Sequence, residues 1–278
     1  MLVSILLIIY NLTVAFAAGV VFTRLLSKVS GASPAVIHPS LYVMVGWGFI
    51  AMLLQVYHLF FAINLFAHIF VWFTLFLFAA TQFKNLAKDM VASLHQISSK
   101  KHIAISLGVL VLVLLNIISR KADGDIGDYH LQAIRWMEEY AAVPGIGNIR
   151  RQLGNNSNWF LLQAFSGFHF LGLRSVYTIN ASLVIMVALY VTPHLNQHFW
   201  LRNLLLLFYF IIVATRKYTG AVTNDLVITS GIIMLFCWFT DVVNNNNKKA
   251  IELLLIIVFT LLLITFKLSA LPMVLFAL

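Results

Sequence analysis

Apolar runs that read as candidate membrane spans dominate this chain from end to end. They cover 2–23, 40–60, 64–82, 102–119, 175–192, 203–215, 224–241, 249–266 and 268 onward. A helix needs about 20 such residues to cross the hydrocarbon layer. The strands of a closed barrel would instead alternate between apolar and polar residues. With 62% hydrophobic and only 10% charged residues, a water-soluble domain could not cover its own surface. The expected fold is therefore all-α: a polytopic transmembrane helical bundle of about nine spans.

The flanking charges orient that bundle. Arg24 and Lys28 place the first loop in the cytoplasm, and Lys84, Lys88, Lys100 and Lys101 do the same for 83–101. Two crossings separate these loops, so the two assignments agree. Cytoplasmic lysines also explain the net charge of +9 without a nucleic-acid partner; the expected partner is the lipid bilayer. No Lys or Arg precedes the first apolar run and Arg24 follows it, which predicts an uncleaved first helix rather than a signal peptide. The one cysteine, Cys237, leaves no disulfide within the chain. The last apolar run reaches Leu278 without a polar tail, as in the N-terminal part of a longer protein.

Residues 120–157 are the long polar stretch. They hold Asp123, Asp125, Asp128, Glu138 and Glu139, more than half of the nine acids in the chain. The fourth helix leads outward, so this loop is extracytoplasmic. Residues 158–172 follow it, about 15 residues against the roughly 20 a span requires. If they crossed, Lys248 and Lys249 would face outward, so an interfacial or re-entrant helix is expected. Three parts result: N-terminal helices over 1–119, a loop with amphipathic interfacial helices over 120–174, and C-terminal helices over 175–278.

Within the loop, Tyr129, Ala133, Trp136, Met137 and Tyr140 share one helical face, and Gln132, Arg135 and Glu139 another. Such a helix suits the membrane surface. Asp128 at its start is either an N-cap or a catalytic base. His130 beside it either orients a substrate or is structural. His38, His58, His68 and His169 have no metal-ligand spacing and read as hydrogen-bonded bundle or interface residues.

Asp125 through Trp136, then Val143-Pro144-Gly145-Ile146-Gly147-Asn148, then Asn156 through Phe160 resemble a group of uncharacterised bacterial polytopic proteins. These are themselves similar to the GT-C-fold membrane glycosyltransferases, which use polyprenyl-phosphate-linked sugars. The resemblance implies an acid in the first large outer loop and a second acid at the outer end of a later helix. Asp225 matches the second. It implies Asp125, Asp128 and Asp225 as catalytic residues, with Asp125 first among them as the base. It implies a lipid-linked sugar as donor and a glycan or lipid as acceptor, in cell-envelope assembly. Transfer to a hydroxyl needs cations for the departing phosphate, and Arg150, Arg151 and Lys217 are the candidates. His130, Asn156 and Trp159 complete the substrate-binding set. Two carboxylates would also suit Mg²⁺ or Mn²⁺, although nothing in the sequence requires a metal. Lys267, at the outer end of a helix, is a further candidate cation. A transporter or flippase would carry ionisable groups mid-helix, whereas here they collect at the ends. A non-catalytic scaffold of polysaccharide export is the remaining alternative.

Overall fold

A computed structural model of the chain describes residues 2–80, 83–97, 100–118, 126–154, 157–172, 177–191, 220–244 and 250–276, with isolated positions between 200 and 213. Helix is the main structure of the described residues, and no strand occurs among them. Three of the helices are long and apolar enough to cross a membrane: α1 (Leu2–Ser30), α2 (Pro39–His58) and α10 (Asp225–Asn244). The number is four if α3 (Leu65–Ala80) and α4 (Phe83–Leu94) form one span. Their axes, however, meet at 106°. The remaining apolar helices α5 (Lys100–Ile118), α9 (Ile179–Val191) and α11 (Ala250–Phe266) have shorter apolar stretches. The sequence predicts about nine crossings, and the structure supports the coarser statement of an all-helical architecture with, among the described residues, three or four bilayer-length helices.

Small residues set the core. A methyl group on Gly19 would lie 1.8 Å from the Tyr42 carbonyl oxygen, and one on Gly46 would lie 1.8 Å from that of Ala15. The backbones of α1 and α2 therefore touch directly. Such contact is how helices associate where lipid removes the hydrophobic drive between them. α2 starts with Pro39 in its first turn, where the missing N–H costs nothing, and His38 Nδ1 accepts from Ser40 N at 3.3 Å.

The polar segment builds a helical collar. A π-helical turn (Ile126–His130) runs into α6 (Leu131–Glu139), followed by the short α7 (Ile146–Ile149) and a 3-10 turn (Arg151–Gly154). Next comes α8 (Asn158–Gly167), with all ten residues buried. At a rise of about 1.5 Å per residue it extends about 15 Å, half of the hydrocarbon thickness. Protein covers it on every side. A helix on the membrane surface would keep one face exposed. Its end is fixed by Phe168, whose backbone is left-handed at φ 49. That conformation is costly for a bulky residue. Ring contacts to Tyr10 at 4.9 Å and His68 at 4.5 Å hold it.

Candidate functional site

The bundle has two polar ends. At one, Arg24 holds Asp89 through Nε and Nη2, and Ser93 Oγ donates to the Ile37 carbonyl oxygen at 2.8 Å. At the other, the collar meets the end of α2, the start of α10 and the end of α11. A cleft of about 590 Å³ lies there, and its walls include Gln55, Tyr129, Ser157, Asn158, Asn224 and Lys267.

Each wall residue is held by a neighbouring element. Asn158 Nδ2 donates to Gln55 Oε1 at 3.0 Å, tying α8 to α2. Ser157 Oγ donates to the Phe266 carbonyl oxygen, tying the collar to α11, and Asn224 Nδ2 donates to Ser157 Oγ at 3.5 Å. Behind the cleft stands Asn180 of α9. Its Oδ1 accepts from Trp159 Nε1 at 2.9 Å and Gln163 Nε2 at 3.2 Å, while its Nδ2 donates to the carbonyls of Ala221 at 2.8 Å and Thr223 at 3.0 Å. This fully used amide fixes the segment that enters α10. Asp225 follows directly; its N–H donates to Thr223 Oγ1 at 3.2 Å, and its carboxylate pairs with Lys267 Nζ at the cleft wall.

Asp128 sits within the π-helical turn, next to the wall residue Tyr129. Its carboxylate lies 3.7 Å from Arg150 Nη2, and its carbonyl accepts from Arg150 Nη1 at 2.5 Å. It is not the N-cap of α6. That position belongs to His130, with no side-chain capping bond, because the helical turn begins earlier at Ile126. His130 is buried between Tyr129 at 4.2 Å and Phe160 at 5.1 Å, one layer behind the cleft. Trp159 is corrected from a substrate contact to a core residue. It is fully buried, with Trp47 edge-on at 5.9 Å, Phe266 at 5.3 Å and its N–H satisfied by Asn180. Arg151 is exposed at the start of its 3-10 turn. Asp125, Asn156 and Lys217 lie outside the described residues.

Among the described residues no three His, Cys, Asp or Glu side chains form a metal-binding group. The ammonium of Lys267 faces the Asp225 carboxylate. Among the described residues, the groups at the cleft are a carboxylate, an ammonium, amides, hydroxyls and an aromatic ring.

Sequence reasoning missed two residues. Asn180 lies in an apolar run, where an amide is expensive unless it is bonded, and that cost was the available signal. Glu138 is buried on the face of α6 that packs on α8. It accepts from Tyr177 Oη at 3.2 Å and lies 3.9 Å from Arg135 Nη1. The packing is tight: a methyl on Gly167 would lie 2.9 Å from Glu138 Oε1. Burial pushes Glu138 up to about 7, against the Tyr177 hydrogen bond and the Arg135 charge, which pull downward. Nearby, burial and the charge of Arg135, whose Nη1 donates to Nδ1 at 2.6 Å, hold His169 below the ordinary imidazole value.

Neither a curated protein nor a solved structure matches the sequence. The family model described as domain of unknown function DUF8201 matches residues 1–278, and the chain belongs to that family.

Proposed function

We propose that the chain is a GT-C-like membrane glycosyltransferase of about nine spans, which takes a sugar from a polyprenyl-phosphate donor at the extracytoplasmic face of a bacterial plasma membrane. The observation that carries the reading is the cleft itself. It combines amides suited to sugar hydroxyls, the ring of Tyr129, and the Lys267 ammonium beside the Asp225 carboxylate. In this reaction the acceptor oxygen bonds to the anomeric carbon as the bond from that carbon to the phosphate oxygen breaks. Polyprenyl phosphate leaves with the electron pair, and a carboxylate takes the hydroxyl proton. Lys267 would hold the phosphate, with Arg150 and Arg151 as further cations and Lys217 as the remaining candidate from the sequence. A phosphate arriving at Lys267 competes with Asp225 for the ammonium. Donor binding would thus free that carboxylate to act as base toward a glycan or lipid hydroxyl. Asp125 and Asp128 are the loop acids of the same reading.

The test is donor consumption by the full chain in liposomes, read as release of polyprenyl phosphate from a panel of polyprenyl-phosphate sugars. Asp225→Asn and Lys267→Gln should each lower turnover by about 100-fold or more. Turnover unchanged in Asp225→Asn would remove the catalytic role. Movement of the donor between leaflets without cleavage would make the chain a flippase. Neither cleavage nor movement would leave a scaffold.

A further inference from the structure

The opposite end of the molecule carries a feature that glycosyl transfer does not use. α4 leaves the direction of α3 at 106° and presents three distinct faces. One face is turned to protein: Asp89 is held by Arg24, and Ser93 is bonded to the Ile37 carbonyl. A second face is apolar. Leu86, Ala87 and Met90 line a crevice of about 320 Å³, walled on its other sides by α1 and α3 through Ala17, Val21 and Trp72. Val91 and Leu94 continue this stripe and are exposed. The third face carries Lys84 and Lys88, one turn apart and both exposed. Among the described residues no acid pairs with either lysine, since Asp89 beside them is engaged by Arg24. Like charges at this spacing repel each other, so an anion placed between them would relieve that repulsion.

We propose that α4 lies in the plane of the cytoplasmic leaflet and seats an anionic phospholipid, with one acyl chain in the Ala-lined crevice and the headgroup phosphate on Lys84 and Lys88. The geometry supplies both requirements of an in-plane helix: an apolar stripe for the acyl boundary and cations at headgroup depth. The bidentate Arg24–Asp89 pair and the Ser93 bond fix its rotation, so that the lysines flank the crevice mouth instead of facing α1. The site takes a lipid of the inner leaflet and does not rest on the glycosyl-transfer reading.

Trp72 in the crevice wall is a built-in reporter. The full chain is reconstituted in two sets of vesicles of phosphatidylcholine and phosphatidylglycerol at equal mole fraction, with acyl-chain bromine on one lipid or on the other. The quenching lost in Trp72→Phe is the signal from the crevice. It should be stronger when phosphatidylglycerol carries the bromine, with a preference of about fivefold for each lysine near the surface. In the double variant Lys84→Gln, Lys88→Gln the preference should fall to near one, while quenching of the other tryptophans stays unchanged. Equal quenching by the two brominated lipids in the native chain would overturn the proposal. So would a preference that survives both glutamines.

Discussion

At one end of the bundle Arg24 grips Asp89 with two guanidinium nitrogens, their side chains 20% and 8% exposed. At the other, Lys267 meets Asp225 through a single ammonium, with exposures of 36% and 56%, and Arg150 meets Asp128 at 35% and 66%. The same chemical pairing therefore serves two purposes. The mostly buried bidentate pair fixes a helix and is largely shielded from solvent. The exposed pairs are open to exchange, so an incoming phosphate can replace a carboxylate at little cost. In a chain whose helix interiors are almost without charge, this contrast separates architecture from the site.

The largest expected effect comes from breaking the closed pair. Asp89→Asn leaves Arg24 in its partly buried place with a neutral partner. Removing one member of such a pair costs about 3 kcal/mol or more. Thermal unfolding in detergent should show a clear drop and earlier proteolysis within α4. A loss below about 1 kcal/mol would mean that this end is as solvent-shared as the other, and the contrast would fail.

Glu138 sharpens the comparison, because it is an acid at the collar end that is nevertheless closed. Its folded value of about 7 lies above its ordinary 4.5. The folded state therefore holds the proton more tightly than the unfolded chain. The stabilising contribution of the protonated form is fully present below pH 4.5, and it is lost as pH rises through about 7. The loss at pH 8 is about 3 kcal/mol. Glu138→Gln keeps an acceptor for Tyr177 and removes the charge. It should match the native chain at pH 4 and unfold at higher temperature at pH 8. Parallel pH profiles for the two proteins would show that Glu138 ionises in place without penalty.

How far the sequence reached depends on which physical signal each feature leaves. Continuous apolar runs give the helical class directly, since a helix satisfies its own backbone in lipid, and the strands of a barrel, the other solution, would alternate. The shortness of 158–172 marked it as unusual. That it would be buried on all sides was not legible, because the partners of Asn158 and Gln163 are Gln55 and Asn180, one on an earlier helix and one on a later helix. Periodicity gave the outer face of α6, where Arg135 and Glu139 pair. It could not show that Glu138, one residue away, turns inward. Asp128 looked like a cap because Asp is a favoured cap residue. The π-helical turn that displaces it from that position leaves no compositional trace. Trp159 is expected as a substrate contact from the resemblance, and its burial against Trp47 and Phe266, with its N–H on Asn180, depends on long-range contacts that the sequence does not show. Lys267 and Asp225, 42 positions apart, meet through the antiparallel run of α10 and α11, which topology alone determines.

The smallest effects on stability should come from the open pairs, and they test the comparison most severely. Asp225→Asn and Asp128→Asn each remove one member of an exposed pair. The other member, Lys267 or Arg150, stays in contact with water, so no charge is stranded. Each change should cost less than about 1 kcal/mol. Added salt should shrink both costs further, because screening acts on the exposed charges and much less on the Arg24–Asp89 pair. Unfolding of both variants in detergent, set beside Asp89→Asn, measures the ordering directly. If Asp225→Asn destabilised the fold as much as Asp89→Asn, its pair with Lys267 would be a clasp between α10 and α11. A loss of turnover in that variant could then be unfolding and not chemistry. If it is nearly neutral and turnover still collapses, the carboxylate acts on the ligand, and stability and activity separate at the same residue.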